Sequence, residues 1–392
     1  MIVPVLTALR LVVVGAVLAL ITYWFHRRLV RATGLGRTPA RAADIALGTL
    51  AVLALAASVT GTVLDPAWAR PLGYLGWSWI AVGLYLILGL AVVAIGRGIG
   101  WVTRRVRARA DIPSDAPVSR RALRVATAAV VVAAVSAVAY GAVAAAHPRI
   151  VRTTVPLAAL PTGFDGLRVA LVTDLHVGPA RGAAFVREVV DAVNATKPDL
   201  IVLGGDLADG TVAFVGEDLA PLTDLEAPLG VYGVSGNHEY YSDDAANWLD
   251  HWESLGVRTL RNEHVVLTRG DDRIALAGVH DYTAPEPDAA DVPAALDGIP
   301  HDSFVLLAAH QPKHVLEARE LGVDLQVSGH THGGQMWPLG YLVSLANPTV
   351  TGLDRFGDTT IYTSFGAGAW GPPVRIAAPP EISVLELTST GG

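Results

Sequence analysis

Four long apolar stretches, at about 3–25, 43–64, 75–96 and 123–146, occupy most of the first 150 residues. Each is long enough to cross a hydrocarbon core about 30 Å thick as a helix. The whole chain is 52% hydrophobic and only 17% charged, more apolar than an ordinary soluble protein, and the excess lies in this first part. The first stretch lacks a positive leading segment and a small-residue cleavage site. It therefore reads as a retained helix rather than a signal peptide. Arginines set the expected orientation. Arg27, Arg28, Arg31, Arg37 and Arg41 follow the first stretch, and Arg97, Arg104, Arg105, Arg107, Arg109, Arg120, Arg121 and Arg124 follow the third, whereas the loop between the second and third holds only Arg70. The positive-inside rule places both basic loops in the cytoplasm, and with them everything after the fourth stretch on the other side. The stretches carry few ionisable groups, with Asp44 and Asp65 near their ends, so they read as an anchor rather than a translocation pathway. Trp68, Trp77, Trp79 and Trp101 stand where interfacial aromatics are expected.

Composition changes near residue 150, which divides the chain into a transmembrane region, 1–150, and a globular domain, 151–392. The second part repeats one grammar: an apolar run, then metal-ligand residues, then glycine or a turn. Runs ending in Asp174-Leu175-His176, Gly205-Asp206, Gly236-Asn237-His238-Glu239, Ala309-His310 and Gly329-His330-Thr331-His332 all follow it. The runs read as buried strands, and in open α/β sheets ligands bind just outside the carboxyl ends of strands. Five such ends would aim carboxylate, imidazole and amide oxygen at one crevice. That mixture suits borderline to hard divalent ions such as Mn, Fe or Zn. Two such ions about 3.5–4 Å apart clamp the attacking and leaving oxygens in phosphoester cleavage and acidify a water between them. A pair that close needs an anionic bridge, for which Asp206 is the natural candidate.

In order and spacing these motifs resemble those of the calcineurin-like metallophosphoesterases, over about residues 165–388. The resemblance implies a two-sheet α/β sandwich. It also implies one metal on Asp174, His176, Asp206 and His332, a second on Asp206, Asn237, His310 and His330, and a catalytic His238 beside them that protonates the leaving oxygen or stabilises the phosphoryl group. The protein Ser/Thr phosphatases of the superfamily carry Gly-Asp-x-x-Asp-Arg-Gly. Here Gly205-Asp206-Leu207-Ala208-Asp209-Gly210 lacks the arginine, which argues against a protein phosphatase. His332-Gly333-Gly334-Gln335, with Ser364-Phe365-Gly366-Ala367-Gly368 and Pro379-Pro380-Glu381-Ile382, is similar to the bacterial membrane-associated branch, which itself resembles enzymes acting on phosphodiester or pyrophosphate bonds of lipid-linked and small substrates.

The expected function is a membrane-anchored phosphoesterase for diester, pyrophosphate or monoester bonds, with an extracytoplasmic catalytic domain and a lipid-linked or envelope-derived substrate. A non-catalytic metal- or phosphate-binding sensor or scaffold is the alternative, and a full ligand set with His238 argues against it. His280 and Asp281, at the end of another apolar run, are candidates for contact with substrate. Arg375 would meet a substrate phosphate or form a surface ion pair. His251 is expected on the surface of a helix over 243–255, and His264 and His301 in polar turns. Residues 265–267 and 274–277 around Gly270 read as a β-hairpin, and Ala183–Ala195 as a helix between the first two ligand-bearing strands. Without cysteine, neither disulfides nor thiolate metal sites are available. A net charge of −7 gives no basic footprint for nucleic acid.

Overall fold

The computed structural model describes residues 2–113 and 119–391. They form two compact units, one of Met1–Val59 with Pro71–Tyr140, the other of Thr60–Arg70 with Gly141–Gly392. The first unit is helical: α1 (Ile2–Phe25), α2 (Arg37–Ala57), most of α3 (Pro66–Arg109) and most of α4 (Arg120–Ala146). All four elements are long and apolar enough to cross a membrane. Their shared interior is small, centred on Phe25, Leu47, Leu86, Leu90 and Ala134. Their outer faces leave Leu20, Val52, Val92 and Val132 exposed, as all-round apolar helices do when hydrocarbon is their solvent. The second apolar stretch, expected over 43–64, leaves the helix at Ala57 because the chain turns at Gly61, where φ is +94°. Hydropathy continues there although the backbone does not.

The second unit is the α/β sandwich expected from the sequence, built among the described residues on two six-stranded sheets. The first sheet contains β1 (Arg149–Leu157), β2 (Leu167–Val172), β3 (Leu200–Leu203), β4 (Val231–Gly233), β5 (Arg258–Thr259) and β12 (Glu381–Ser389), in the order β1-β12-β2-β3-β4-β5. The second contains β6 (Glu263–Arg269), β7 (Asp272–Gly278), β8 (Val305–Ala308), β9 (Leu325–Ser328), β10 (Gly352–Phe356) and β11 (Thr359–Thr363), in the order β10-β11-β9-β8-β7-β6. Strands β2 to β5 run parallel, as do β7, β8, β9 and β11, while β6 and β10 close their sheet antiparallel at its edges. The central strands are buried along both faces, which is why their sequences are nearly continuous apolar runs.

Val169, Leu171, Leu200 and Val202 from the first sheet meet Leu276, Leu306, Leu325 and Val327 from the second to form the core between them. Helix α5 (Ala183–Ala195) covers the outer face of the first sheet with Val186, Val189, Val190 and Val193, spaced for one helical stripe. Burying each of these valines contributes on the order of 1.5–3 kcal/mol. The hairpin over β6 and β7 turns at Gly270, as its sequence requires. His264 lies within β6 rather than in a polar turn, and its Nδ1 meets the Ala295 carbonyl at 3.0 Å. His251, expected on the surface, is half-buried, with Nε2 3.0 Å from the Gly216 carbonyl.

Two segments adjoining the long apolar helices belong to this second unit. In Thr60–Arg70, the Gly61 carbonyl accepts from Thr211 N (2.9 Å), and Arg70 Nε donates to the Gly178 carbonyl (3.1 Å) while its guanidinium pairs with Asp218. At the end of α4, the Gly141 carbonyl accepts from Arg375 N (2.9 Å) and the Ala145 carbonyl from Arg181 Nη2 (3.1 Å).

Candidate metal centre

Each ligand-bearing loop leaves the carboxyl end of a strand, and the two sheets bring those ends together. β2 leads to Asp174 and His176, β3 to Asp206, β4 to Asn237 and His238, β8 to His310, and β9 to His330 and His332. Asp174, His176, Asp206, His330 and His332 all have positive φ, between 48° and 68°. Non-glycine residues adopt this conformation at a cost, and surrounding contacts must hold them in it. Here the loops hold one another. Asp174 N donates to the Gly205 carbonyl (3.0 Å), His176 N to the Asp206 carbonyl (3.1 Å), and His330 N to the Asp174 carboxylate (3.1 Å). Gly329 makes the last contact possible, because a Cβ there would lie 2.3 Å from Asp174 Oδ2.

The side chains form a buried cluster of converging ligand atoms. Asp174, His176 and His332 make one group fit to hold a metal, and Asp206, His310 and His330 another. In the first, His332 Nε2 is 3.2 Å from Asp174 Oδ1 and 3.0 Å from His176 Nε2. Asp206 Oδ2 lies between the groups, 3.8 Å from His176 Nε2 and 3.2 Å from His310 Nε2. Asn237 Oδ1 is buried without a hydrogen-bond partner. A buried acceptor left unpaired is costly, and a cation held beside Asp206 would satisfy it. The donor set and this orphaned oxygen both fit divalent metal.

The electrostatics agree. Burial alone would drive protons off the histidines, but Asp209, Asp174 and Asp206 outweigh it and push His176 up to about 10. Asp206 and Asp174 hold His310 well above the imidazole range, also against burial. Burial would raise Asp174, yet His332, His176 and His310 hold it well below the carboxylate range. A field that favours imidazolium so strongly also favours a divalent cation in the same place. His330, pushed down to about 4, and His332, pushed down to about 3, are kept neutral chiefly by burial, which is the form that ligates metal.

Surrounding groups fix the ligands. His310 Nδ1 donates to the Gly204 carbonyl (2.7 Å), leaving Nε2 toward the cluster. Asp209 Oδ1 meets both His176 Nδ1 (2.9 Å) and His238 Nδ1 (2.6 Å). Glu239 accepts from the backbone N–H of Asp206 (3.0 Å), Leu207 (2.9 Å) and Gly236 (2.7 Å), tying two ligand loops together. Burial and the charge of Asp206 push its carboxyl up to about 7. Asp209 and Glu239 were not singled out from sequence. The signal for Asp209 was present in Gly205-Asp206-x-x-Asp209, but its double role as acceptor exists only in three dimensions.

His238 lines a cavity of about 340 Å³ together with Asp206, Asn237, His330 and His332. Burial opposes its charge, but Asp206 and Asp209 outweigh that and raise its pKa above the ordinary imidazole value. The structure thus gathers all seven expected ligand positions and His238. It does not bring His280, Asp281 or Arg375 to the cavity. His280 Nδ1 contacts Tyr240 Oη (2.9 Å), and Asp281 is fully buried, accepting from Gln311 Nε2 (3.0 Å) and Thr283 Oγ1 (2.6 Å). Arg375 is not among the residues lining the cavity, and it is too buried for a surface ion pair. It is 1% exposed, and its guanidinium donates to the carbonyls of Gly368 (2.9 Å), His332 (2.8 Å) and Phe365 (2.8 Å) and to His332 Nδ1 (3.0 Å). The turns around residues 332 and 366 leave those carbonyls without strand partners, and a buried guanidinium is what satisfies them.

A cluster of this composition at the strand ends of a two-sheet sandwich is the site of a metal-dependent hydrolase. The family model for the calcineurin-like phosphoesterases matches residues 167–334. A "transmembrane protein with metallophosphoesterase domain" from Danio rerio is 35% identical over 335 residues, covering 82% of this chain and 74% of the relative. Its counterpart from Bos taurus is 36% identical over 353 residues, covering 86% and 79%. A metallophosphoesterase of Helicobacter pylori is 40% identical over 248 residues, covering 62% and 64%. The chain belongs to the calcineurin-like metallophosphoesterases. It is a membrane protein and a metal-dependent phosphoesterase, and its relatives extend beyond bacteria to vertebrates.

Proposed function

We propose that the protein is a multi-pass membrane phosphoesterase with a two-metal centre facing away from the cytoplasm. Asp174, His176 and His332 would hold one ion and Asn237, His310 and His330 the other, with Asp206 shared between them. The observation that carries this reading is the position of Asp206 Oδ2 within 3.8 Å of His176 Nε2 and 3.2 Å of His310 Nε2, beside the orphaned Asn237 Oδ1. Two ions of the Mn, Fe or Zn class supply, when bound, a water acidified near neutral pH and positive charge for the phosphoryl oxygens.

The chain's own groups do the rest. His238 donates a proton to the leaving oxygen, and the Asp206 and Asp209 charges beside it favour the protonated form against burial. Asp209 fixes the imidazole through Nδ1, so that Nε2 is the nitrogen left for proton transfer. Glu239 binds backbone N–H groups and Arg375 binds carbonyls and the His332 ring, and both hold the ligand loops.

The arginine pattern supports an extracytoplasmic catalytic unit. The packing of Thr60–Arg70 within that unit supports a common side for the second loop and the domain. Substrates within reach there are lipid-linked or released from the envelope, and include diesters, pyrophosphates and monoesters. The test is hydrolysis of bis-p-nitrophenyl phosphate and p-nitrophenyl phosphate by the full chain in detergent. Turnover should vanish with a chelator and return with Mn²⁺. Metal-independent turnover would refute the reading.

A further inference from the structure

The cavity at His238 has one polar and one apolar side. Its floor is the ligand cluster, while Met336, Leu339, Val343, Trp370 and Pro372 form its wall. Beyond that wall the surface remains apolar. The short helix Gly340–Ala346 buries no residue, and Leu345 is 83% exposed, Tyr341 70%, and Trp337 and Trp370 55% each. Residues 333–352 contain no charged side chain. Contiguous apolar surface of this kind marks an interaction site rather than a solvated face.

The backbone connects this lip to the end of the last span. The Gly141 carbonyl of α4 accepts from Arg375 N (2.9 Å), and the next residue's carbonyl, Ile376, accepts from Trp337 N (3.0 Å). The Gln335 side chain locks the lip's base, donating to the carbonyls of Trp370 (2.8 Å) and Pro372 (3.0 Å) and accepting from Trp370 N (2.9 Å). The apolar lip is therefore two backbone hydrogen bonds from Gly141, in the last turns of α4, which belong to the same unit as the lip. Tryptophan and tyrosine beside such a helix end belong at the level of lipid headgroups.

We propose that Trp337, Tyr341, Leu342 and Leu345 dip into the membrane surface, and that the groove walled by Met336, Leu339, Val343 and Trp370 takes the hydrocarbon tail of an amphiphilic phosphoester whose phosphate reaches the metal centre. This rests on the hydrolase reading above and narrows its substrate class to lipid phosphoesters. The tail leaves the bilayer along the lip, so the phosphate arrives at His238 without the tail crossing water.

The experiment uses the full chain with Mn²⁺ and a series of alkyl p-nitrophenyl phosphate diesters in mixed micelles, from methyl to hexadecyl. Water adds at phosphorus and p-nitrophenolate leaves in every case, so only the tail differs. The hexadecyl ester should exceed the methyl ester in kcat/KM by roughly tenfold or more, the gain expected from burying a few methylenes. Val343→Asp should bring that ratio close to one, and Val343→Leu should preserve it. Equal rates along the series would overturn the groove while leaving the hydrolase standing. No release from any ester would overturn the hydrolase reading, and this inference with it. The absence of native cysteine permits a direct check of the lip. A fluorophore on Leu345→Cys in lipid nanodiscs should be quenched by brominated lipid, and one on Asp271→Cys, in the β6–β7 turn, should not. An unquenched Leu345→Cys probe in a chain that migrates as a dimer would assign the patch to a second copy and overturn the proposal.

Discussion

The floor and the lip of the cleft are built on opposite principles. On the floor, Asp174, Asp206 and His310 are buried, and most ligands sit in strained backbone held by partners. On the lip, Tyr341 and Leu345 stand in the open on a helix with no buried side at all. A protein interior would not spend so many fixed polar groups without a charge to place, and a soluble surface would not display so much uncharged apolar area. In the proposed reading the floor determines what bond is broken, and the lip determines which molecules bring that bond within reach. Substitutions on the floor should therefore act on metal and chemistry, and those on the lip on substrate selection.

The largest effect should come from Asp206→Asn. Removing the charge between the two groups should lose metal at both and reduce turnover to background, read by metal analysis and hydrolysis together. Retention of full metal content would show that Asp206 does not join the halves. His238→Ala tests the border between floor and lip. It should keep metal and lower kcat by about 10²–10⁴-fold, the usual contribution of a positioned acid. Asp209→Asn should cost roughly 10–100-fold, as supporting partners of site histidines do. Wild-type rates in His238→Ala would remove the acid from the mechanism.

A smaller effect tests the depth of the floor. His314 lies behind the cluster with both ring nitrogens unpaired. Burial there lowers its pKa from 6.5 to about 4. Between those values the unfolded chain takes up a proton that the folded chain refuses. The stability present above pH 6.5 is therefore lost as pH falls toward 4. The melting temperature of wild type should fall more steeply over that window than that of His314→Phe. Parallel slopes would mean that His314 does not titrate as its burial demands.

The floor was legible in the sequence because each of its parts is local. An apolar run followed by Asp-x-His, Gly-Asp, Gly-Asn-His or His-x-His specifies a strand and the ligand at its end without knowledge of the rest. The lip was not legible. Met336-Trp337-Pro338-Leu339 followed by Tyr341-Leu342-Val343 has the composition of a core segment, and composition cannot tell an apolar run that is covered from one that is not. Arg375 was misplaced for a related reason. Its carbonyl partners, at residues 332, 365 and 368, come from turns that only the fold brings together. The turn at Gly61 was hidden by hydropathy continuing past the helix end, so its packing on the catalytic unit was invisible from composition.

The central claim is a pair of ions joined by Asp206, and the most direct measurement is electron paramagnetic resonance of the full chain loaded with Mn²⁺, alongside metal analysis. The account predicts two ions per chain and the signal of an exchange-coupled pair, replaced in His330→Ala by the six-line spectrum of an isolated ion. One ion per chain in wild type, or two without coupling, would contradict it.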